Sequence, residues 1–395
     1  MSRRASILVT DADERAALAA VRSLGRAGHR VHVCGVRERS LAASSRYCHV
    51  AAVAPDPLRE PERFRDAVGA LLQRWAIDVL LPVSEQALRA LLPADFPKLG
   101  VRVPFPSHDV FATISDKGEL LRRCARFGIA APEQRTLASP VELPASESAL
   151  TFPVVVKPTR SVVYGPAGAI KTGVAYASTA TELRRCLAAL PAAAYPVLLQ
   201  RRIVGPGSGV FLLVWDGELV ASFAHRRLRE KPPAGGVSVY SESVAADPTL
   251  LERGLRLLRD VGWQGIAMLE FKTDRATGQS YLMEINGRLW GSLQLAIDAG
   301  VDFPALLVAC ALGDKVAAPA YRTGVRNRWW WGDVDHLLAR LRRSPAELGL
   351  PPDAPSRGRV VRDFLRLWRP GDRSEILRAS DPAPFLRETL DWFRR

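Results

Sequence analysis

The sequence predicts an α/β protein that opens with a parallel sheet, continues into a second, smaller α/β unit and ends in a basic, mainly helical extension. Short apolar runs alternate with helical patterns from residue 5 to residue 104, which is typical of consecutive β-α-β units. Two alternating stretches, 266–272 and 281–286, flank a polar segment that contains Gly278 and predict a β-hairpin. The proline-containing stretch 128–152, with little apolar periodicity, is read as a connection.

The first 106 residues are predicted to form one domain with an open parallel sheet. Leu18, Val21 and Leu24 recur at helical spacing after the first apolar run, and Gly28 ends that helix. Further strands are expected at 29–36, 47–53, 78–83 and 101–104, and further helices at 61–75 and 85–92. No G-x-G-x-x-G pattern follows the first strand, which disfavours a dehydrogenase.

Composition limits the class of protein. With 395 residues, of which 48% are hydrophobic, the chain is long enough for two or three globular domains. Acidic residues interrupt the apolar start, and the apolar run 303–312 is too short to span a bilayer, so we expect a cytoplasmic protein with no membrane partner. Five scattered cysteines predict neither a disulfide framework nor a zinc site.

The chain is strongly basic, with a formal charge of +14 and a pI near 10.1. The positive charge is spread along the chain and consists almost entirely of arginine, so a nucleic-acid partner is disfavoured. Only seven lysines remain. They attract interest because a compact ammonium group cannot be replaced by arginine at every site.

Three of these lysines lie where a phosphate could bind. Asp116 and Glu119 have the spacing of a capping box, which places Lys117 in the first turn of a helix, at the positive end of its dipole. Lys157 ends the apolar strand 152–157, where an ammonium group needs an anionic partner. Lys171 lies in a glycine-flanked loop that could close over phosphates. Taken alone, Lys117 would be an ordinary surface lysine.

A basic stretch follows a strand at 197–203 and a hairpin predicted over 210–215 and 218–224. Arg227, Arg229 and Lys231 alternate there with apolar or acidic positions, and the prolines and glycines of 232–236 predict a loop. The stretch can be a solvated charge run or an anion-recognition loop, and the sequence leaves both open.

The hairpin at 266–286 carries the acidic residues. If Lys272 faces Leu282, then Glu270 faces Glu284, and the repulsion between these like charges requires a cation between them. Leu282 should then share the face of Glu284. Glu270, Glu284 and Asn286 offer an all-oxygen ligand set that suits Mg²⁺. Arg288 adds a planar fork suited to phosphate or carboxylate. The alternative is an ordinary hairpin with a solvated acidic face.

Taken together, these residues resemble the ATP-grasp superfamily over residues 107–319. The resemblance rests on Lys117, Lys157, the strand segment Gln200-Arg-Arg-Ile203, Glu270 and the pattern Glu284-x-Asn286-x-Arg288. It implies a Rossmann-like domain at 1–106, a two-lobed ATP-grasp domain at 107–319 with a small α/β lid at about 130–199, and an extension at 320–395. The segment after Arg288 is more similar to carboxylate-amine ligase (carboligase-like) members than to biotin-dependent carboxylases.

The resemblance also implies the cofactors ATP and Mg²⁺, with two metal ions and Mn²⁺ as a substitute. The phosphates would be held by Lys117 and Lys157, with Lys171 as a further contact from the loop that covers them. Adenine would contact the side chain of Gln200 and the backbone of Arg201 and Ile203. The metal ligands would be Glu270, Glu284 and Asn286. Lys157 and Arg288 would be catalytic, and the substrate candidates are Arg227, Arg229, Lys231 and Arg288.

The implied activity is an ATP-dependent carboxylate-amine ligase acting through an acyl phosphate, with small-molecule carboxylate and amine substrates. A kinase with the same fold and a basic nucleotide- or nucleic-acid-binding protein are the alternatives. A homo-oligomer is compatible with the family. Pro206 stands where relatives often carry an acidic residue for the ribose, so the ribose contact must come from elsewhere. Trp329, Trp330 and Trp331 either pack over the core, which we favour, or line an acceptor pocket.

Overall fold

The computed structural model describes residues 4–94, 96–143, 150–160, 162–165, 168–171, 173–351, 353–367 and 369–394. Within these ranges the strands form a parallel sheet, two antiparallel or mixed sheets and one isolated hairpin. The mixed α/β architecture and the helical C-terminal end agree with the predicted fold class.

The N-terminal part is the open parallel sheet that the sequence predicts. Its strands are β1 (Ser6–Val9), β2 (Arg30–Gly35), β3 (Val50–Val53) and β4 (Val79–Leu81), in the spatial order β3-β2-β1-β4. Helix α1 (Arg15–Arg26) connects β1 to β2, α2 (Pro61–Arg74) connects β3 to β4, and α3 (Glu85–Leu91) follows β4. The strand expected at 101–104 is reduced to a single bridge between Arg102 and Val79, because Pro104 has no N–H to continue the pairing.

Two helices lead out of this sheet, α4 (His108–Ser115) and α5 (Lys117–Cys124), as predicted. The connection expected at 128–152 contains a strand, β5 (Gln134–Leu137). Only Leu137 of this strand is fully buried, and Arg135 and Thr136 are exposed, so β5 lacks the apolar alternation by which a strand is recognised.

A second, smaller sheet contains Lys157. It consists of β5, β6 (Val154–Pro158), β9 (Ala175–Ala177) and β10 (Val197–Arg201), in the antiparallel order β5-β10-β6-β9. Helix α6 (Ala180–Ala188) covers one face through Leu183 and Leu187. A separate hairpin is formed by β7 (Val162–Gly165) and β8 (Gly168–Lys171).

The largest sheet has seven strands. They are β11 (Gly207–Trp215), β12 (Glu218–Lys231), β13 (Val237–Ser243), β14 (Gly265–Thr273), β15 (Ser280–Asn286), β16 (Arg326–Arg328) and β17 (Asp372–Ser374). Their order is β15-β14-β11-β12-β13-β16-β17. Helices α7 (Pro248–Asp260), α8 (Leu293–Ala299) and α9 (Phe303–Leu312) accompany this sheet. The predicted turn between β11 and β12 is confirmed, with φ values of 50° at Asp216 and 77° at Gly217.

Residues 225–231, for which the sequence left a solvated charge run and an anion-recognition loop open, do not form a loop. These residues continue β12, which pairs with β13 as far as Lys231 and Val237. The many charged residues leave this strand without the apolar alternation by which strands are recognised. They can lie in a strand because other parts of the fold neutralise their charges. Only residues 232–236 form the turn.

The register of the β14–β15 hairpin confirms one part of the prediction and corrects another. Glu270 pairs with Glu284, as expected. Lys272, however, pairs with Tyr281, because the register shifts between Glu270 and Phe271. This irregularity places Leu282 opposite Phe271, on the buried face, and not beside Glu284.

The C-terminal extension is mainly helical, with α10 (Trp330–Arg342), α11 (Arg357–Leu365) and α12 (Ala383–Phe393). It also contributes β16 and β17 to the largest sheet, which the sequence did not predict. Trp331 stacks on Trp392 with ring centroids 4.3 Å apart, and the indole N–H of Trp329 donates to Glu388 at 2.6 Å. These contacts favour the first of the two alternatives, in which the three tryptophans pack within the fold and do not line an acceptor pocket.

Among the described residues, no single helix is long and apolar enough to cross a membrane, and only the bent pair α8 and α9 meets the test of length and composition together.

Candidate active site

The start of α5 lies against the end of β6, which brings two lysines to one place. The Lys117 N–H donates to the carbonyl oxygen of Thr159 at 3.1 Å. Asp116 caps α5 by accepting from the N–H groups of Gly118 and Glu119, both at 3.0 Å. The Glu119 carboxylate bonds Arg122 and Arg123, so the reciprocal half of the predicted capping box does not form.

Lys157 is buried, with only 7% of its surface exposed, and it pairs with Leu198 of the neighbouring strand β10. Burial lowers its pKa to about 8, and the charge of nearby Lys117 acts in the same direction. Glu284 and Glu270 oppose this shift in the pKa of Lys157. The electrostatic coupling shows that the fold brings both lysines and both glutamates into one cluster.

Each of the two facing glutamates has a cation beside it. The Arg227 guanidinium binds Glu270 through two contacts, of 2.6 and 2.9 Å, and the Lys117 ammonium lies 3.2 Å from Glu284. Burial alone would raise the pKa of Glu284, but Lys117, Asn286 and Lys157 together lower it. The positive charge that the two facing acids require is therefore supplied by two side chains of the chain itself, Arg227 and Lys117.

The donor set at this point suits a hard divalent cation. Glu270 and Glu284 are adjacent across the hairpin, and the Asn286 amide nitrogen donates to Glu284 at 3.0 Å, which leaves the amide oxygen of Asn286 as a further ligand. The described residues contain no cluster of three or more His, Cys, Asp and Glu side chains that could hold a metal alone. The site is thus an open one, which phosphate and water oxygens would complete, as Mg²⁺ prefers.

Arg288 lies beside this cluster. It lines a small cavity of about 20 Å³ together with Lys117, Glu284 and Asn286, and Glu85 of α3 forms part of the same wall. One guanidinium nitrogen of Arg288 donates to the carbonyl oxygen of Leu289 at 2.9 Å, which fixes the side chain near the carboxylates. Glu85, the first residue of α3, was not predicted as a site residue from the sequence.

The three predicted adenine contacts follow one another at the end of β10. Gln200 is 3% exposed, and its amide nitrogen donates to Gln134 at 3.0 Å. The Arg201 N–H donates to the carbonyl oxygen of Glu133 at 2.8 Å, so only the carbonyl of Arg201 is left for a ligand. Ile203 is buried and lines a larger cavity.

That larger cavity has a volume of about 380 Å³. One wall is the chain from Arg202 to Gly207, a second is formed by Arg227, Glu230 and Lys272, and a third comes from the C-terminal extension. Arg227 belongs both to this cavity and to the carboxylate cluster, because its guanidinium contacts Glu270. The cavity therefore lies next to the carboxylate cluster. Glu230 and Lys272 were not predicted as site residues, although Lys272 lies two positions after Glu270 on the same strand.

The three basic substrate candidates differ in their partners and in whether they line the larger cavity. Arg227 adjoins the site and also donates to Glu230 at 2.9 Å. Arg229 lines the cavity, but its guanidinium is bound by the buried Asp333 through two contacts of 2.6 Å. Lys231 forms an ion pair with Asp335 and does not line the cavity. The stretch that could have been an anion-recognition loop is therefore a strand, and of the three candidates Arg227 and Arg229 line the cavity.

Two further predictions concern residues around the site. Lys171 is the last residue of β8, and its side chain lies outside the described part of the structure. Trp329, Trp330 and Trp331 do not line the larger cavity, but the neighbouring His336 and Arg340 of α10 do.

Part of the chain matches a known family model, whereas curated protein sequences give no match. Residues 194–331 match a family model described as ATP-grasp in the biosynthetic pathway with Ter operon.

Many solved structures share the fold, and three illustrate the range. An L-amino acid ligase from Bacillus licheniformis has a TM-score of 0.62 and 16% identity, covering 81% of this chain and 76% of that one. N5-carboxyaminoimidazole synthetase from Staphylococcus aureus has a TM-score of 0.61 and 13% identity, covering 81% of each chain. Biotin carboxylase from Campylobacter jejuni has a TM-score of 0.63 and 17% identity, covering 82% of this chain and 74% of that one.

At these identities the structural likeness establishes the fold. The chain therefore has the fold of these solved structures, and residues 194–331 match the model of an ATP-grasp family.

Proposed function

We propose that the protein is an ATP-dependent carboxylate-amine ligase that forms an amide or peptide bond through an acyl phosphate. One observation carries the proposal. Lys117, Lys157, Glu270 and Glu284 form a single charged cluster, and Arg288 lines the same small cavity as Lys117 and Glu284. Phosphoryl transfer to a carboxylate needs both cations for the phosphate oxygens and carboxylates for a metal.

The reaction has two steps. A carboxylate oxygen of the first substrate attacks the γ-phosphorus of ATP, the bond from that phosphorus to the bridging oxygen breaks, and ADP leaves with the electron pair. An amine nitrogen then attacks the acyl carbon, the bond to the phosphate oxygen breaks, and inorganic phosphate leaves while the nitrogen loses a proton. The products are an amide, ADP and phosphate.

The residues of the chain divide this work. Lys117 and Lys157 would neutralise the phosphates, because both positive charges lie near Glu284, a predicted metal ligand. The Lys117 ammonium lies 3.2 Å from that carboxylate, and Lys157 interacts with it electrostatically. Arg288 would bind the oxygens that gain charge in the transition state. Adenine would lie against Ile203 and the carbonyl of Arg201, at the end of β10.

Glu270, Glu284 and Asn286 would hold Mg²⁺, and two ions are what the family resemblance implies. The bound metal would supply charge neutralisation on the β- and γ-phosphates. Arg227 and Lys117 now neutralise these carboxylates, so both cations must be shared with the phosphates or displaced when the metal binds.

Two measurements test the proposed reaction. The purified protein is incubated with ATP, Mg²⁺ and a panel of carboxylates, with hydroxylamine in place of the amine. The ligase reaction predicts a hydroxamate, ADP and free phosphate, because hydroxylamine captures the acyl phosphate. A stable phosphorylated product with no hydroxamate would instead establish the kinase alternative. A wild-type protein that neither binds ATP nor releases ADP with any carboxylate would leave the basic binding protein as the better reading.

A further inference from the structure

The C-terminal extension forms a wall of the larger cavity and is held there by specific contacts. The wall contains His336 and Arg340 of α10, residues 350–351 and 354–355, and Val360 and Asp363 of α11. The segment from Ile203 to Gly207 and the strand residues Arg227 and Lys272 line the same cavity. The fold therefore contains a cavity between the chain from Arg202 to Gly207 and the C-terminal extension.

Arginines around the cavity hold this wall in place. Arg202 donates to the carbonyl oxygen of Gly349, Arg275 forms an ion pair with Asp353, and Arg340 donates to the carbonyl oxygen of Pro355. These guanidinium groups are therefore engaged in fixing the wall, and the cavity is less cationic than its number of arginines suggests.

Helix α11 is fixed from the opposite side. The Arg328 guanidinium donates to the carbonyl oxygen of Phe364 at 3.0 Å and pairs with the fully buried Asp333 at 2.6 Å. Asp333 also binds Arg229, which lines the cavity. Because Asp363 directly precedes Phe364, this network sets the position of the Asp363 backbone.

Two acidic residues line the cavity, Glu230 and Asp363, and they differ in their partners. The Glu230 carboxylate accepts from Arg227 at 2.9 Å, so one of its oxygens is occupied. The half-buried Asp363 side chain makes no hydrogen bond or ion pair with any residue in the described ranges. Its carboxylate is the acceptor that the cavity leaves open to a ligand.

We propose that the C-terminal extension completes the nucleotide site and that Asp363 accepts hydrogen bonds from the ribose hydroxyl groups of ATP. The inference rests on the proposed function, because it places the adenosine end of ATP in the larger cavity. Ile203, a predicted adenine contact, lines this cavity together with Arg227, whose guanidinium contacts Glu270. With adenine at Ile203 and the phosphates toward Glu270, the ribose would lie between them, near Pro206, which lines the cavity and offers no side-chain acceptor. A carboxylate from α11 supplies that acceptor.

Nucleotide analogues test the role of Asp363. The affinities of wild type and Asp363→Ala for ATP, 2′-deoxy-ATP and 3′-deoxy-ATP are measured by calorimetry with Mg²⁺ and no carboxylate substrate. Wild type should bind ATP about tenfold or more tightly than at least one deoxy analogue, the effect of a hydrogen bond to a charged group. Asp363→Ala should bind all three nucleotides within about twofold of one another. Asp66→Ala, at an exposed position on α2, is the control and should keep the wild-type preference.

A second variant tests the wall itself. Ala354 lines the cavity from the extension, so Ala354→Trp should fill part of the nucleotide space and weaken ATP binding tenfold or more while circular dichroism shows a folded protein.

The outcomes separate the two proposals. If wild type binds ATP and Asp363→Ala keeps the full preference for the ribose hydroxyls, the assignment of Asp363 is wrong. Unchanged ATP affinity in a folded Ala354→Trp variant would show that the extension does not bound the nucleotide site. If wild type shows no affinity for ATP, the proposed function itself fails, and this inference fails with it.

Discussion

Replacing Lys157 by methionine should stabilise the protein while it weakens ATP binding. Lys157 is 7% exposed, and burial is the largest cause that lowers its pKa from 10.5 to about 8. The folded protein therefore holds an ammonium group at neutral pH in a place that disfavours its charge. Methionine has a similar length and no charge, so it removes this cost and also removes the phosphate contact.

The size of the effect follows from the pKa. One pKa unit corresponds to about 1.4 kcal/mol, so a fall from 10.5 to about 8 means that the charged lysine costs folding about 3 kcal/mol. Between pH 8 and 10.5 the unfolded chain binds this proton and the folded chain releases it, so the stability of wild type rises with pH. The advantage of Lys157→Met should be greatest below pH 8 and should vanish near pH 10.5.

Urea unfolding followed by circular dichroism measures this difference at pH 7 and at pH 10 without nucleotide. The value of about 3 kcal/mol is an upper limit, because the lost lysine no longer stabilises Glu284 and Glu270 as anions. Calorimetry should show that ATP binds the variant at least tenfold more weakly than wild type, the scale of a lost charge-assisted contact. Lys315→Met, at an exposed lysine, is the matched control and should change neither quantity appreciably.

Two results would refute this reasoning. A Lys157→Met protein that is less stable than wild type at pH 7 would show that the lysine is paired well enough to support the fold. A loss of ATP affinity as large in Lys315→Met as in Lys157→Met would show that total charge, and not a site, governs binding.

Three further predictions concern single residues. Glu284→Gln should fold, but it should lose both turnover and the rise in melting temperature that Mg²⁺ with nucleotide gives to wild type. An active variant with normal Mg²⁺ dependence would contradict the metal assignment. Arg288→Lys should lower turnover by roughly ten- to a thousandfold with little change in ATP affinity, because lysine keeps the charge and loses the planar fork. Equal losses of turnover and of ATP affinity would show that Arg288 binds ATP in the ground state. Asp381→Ala should lower the free energy of unfolding by about 3–5 kcal/mol, since it leaves the buried Arg22 unpaired, whereas Asp66→Ala should stay within about 0.5 kcal/mol of wild type in urea unfolding. A stable Asp381→Ala protein would show that Arg22 finds another partner.

Local patterns predicted much of the fold and part of the candidate site. The alternation of apolar runs and helical spacing predicted the N-terminal parallel sheet, because both depend on residues close together in sequence. The pairing of Glu270 with Glu284 was also predictable, since a hairpin joins strands that are adjacent along the chain. The requirement for a cation followed from the charge of the two acids alone.

The structure corrected the sequence where distant segments meet. Arg227 supplies the cation at Glu270, although 43 positions separate the two residues, and Asp333 holds Arg229 from 104 positions away. Both arginines belong to β12, in the stretch for which the sequence left a loop open. The irregularity beside Glu270 moved Leu282 to the buried face, which simple alternation could not foresee.

The sequence by itself thus determined which side chains could carry phosphate and metal chemistry, because residue type and short-range spacing specify them. The tertiary structure decided which of these side chains meet, which cations neutralise which acids, and that the C-terminal extension walls the cavity beside them. The physical reason is that ion pairs and cavities form between elements far apart in the chain, and only the packing of those elements sets their distances.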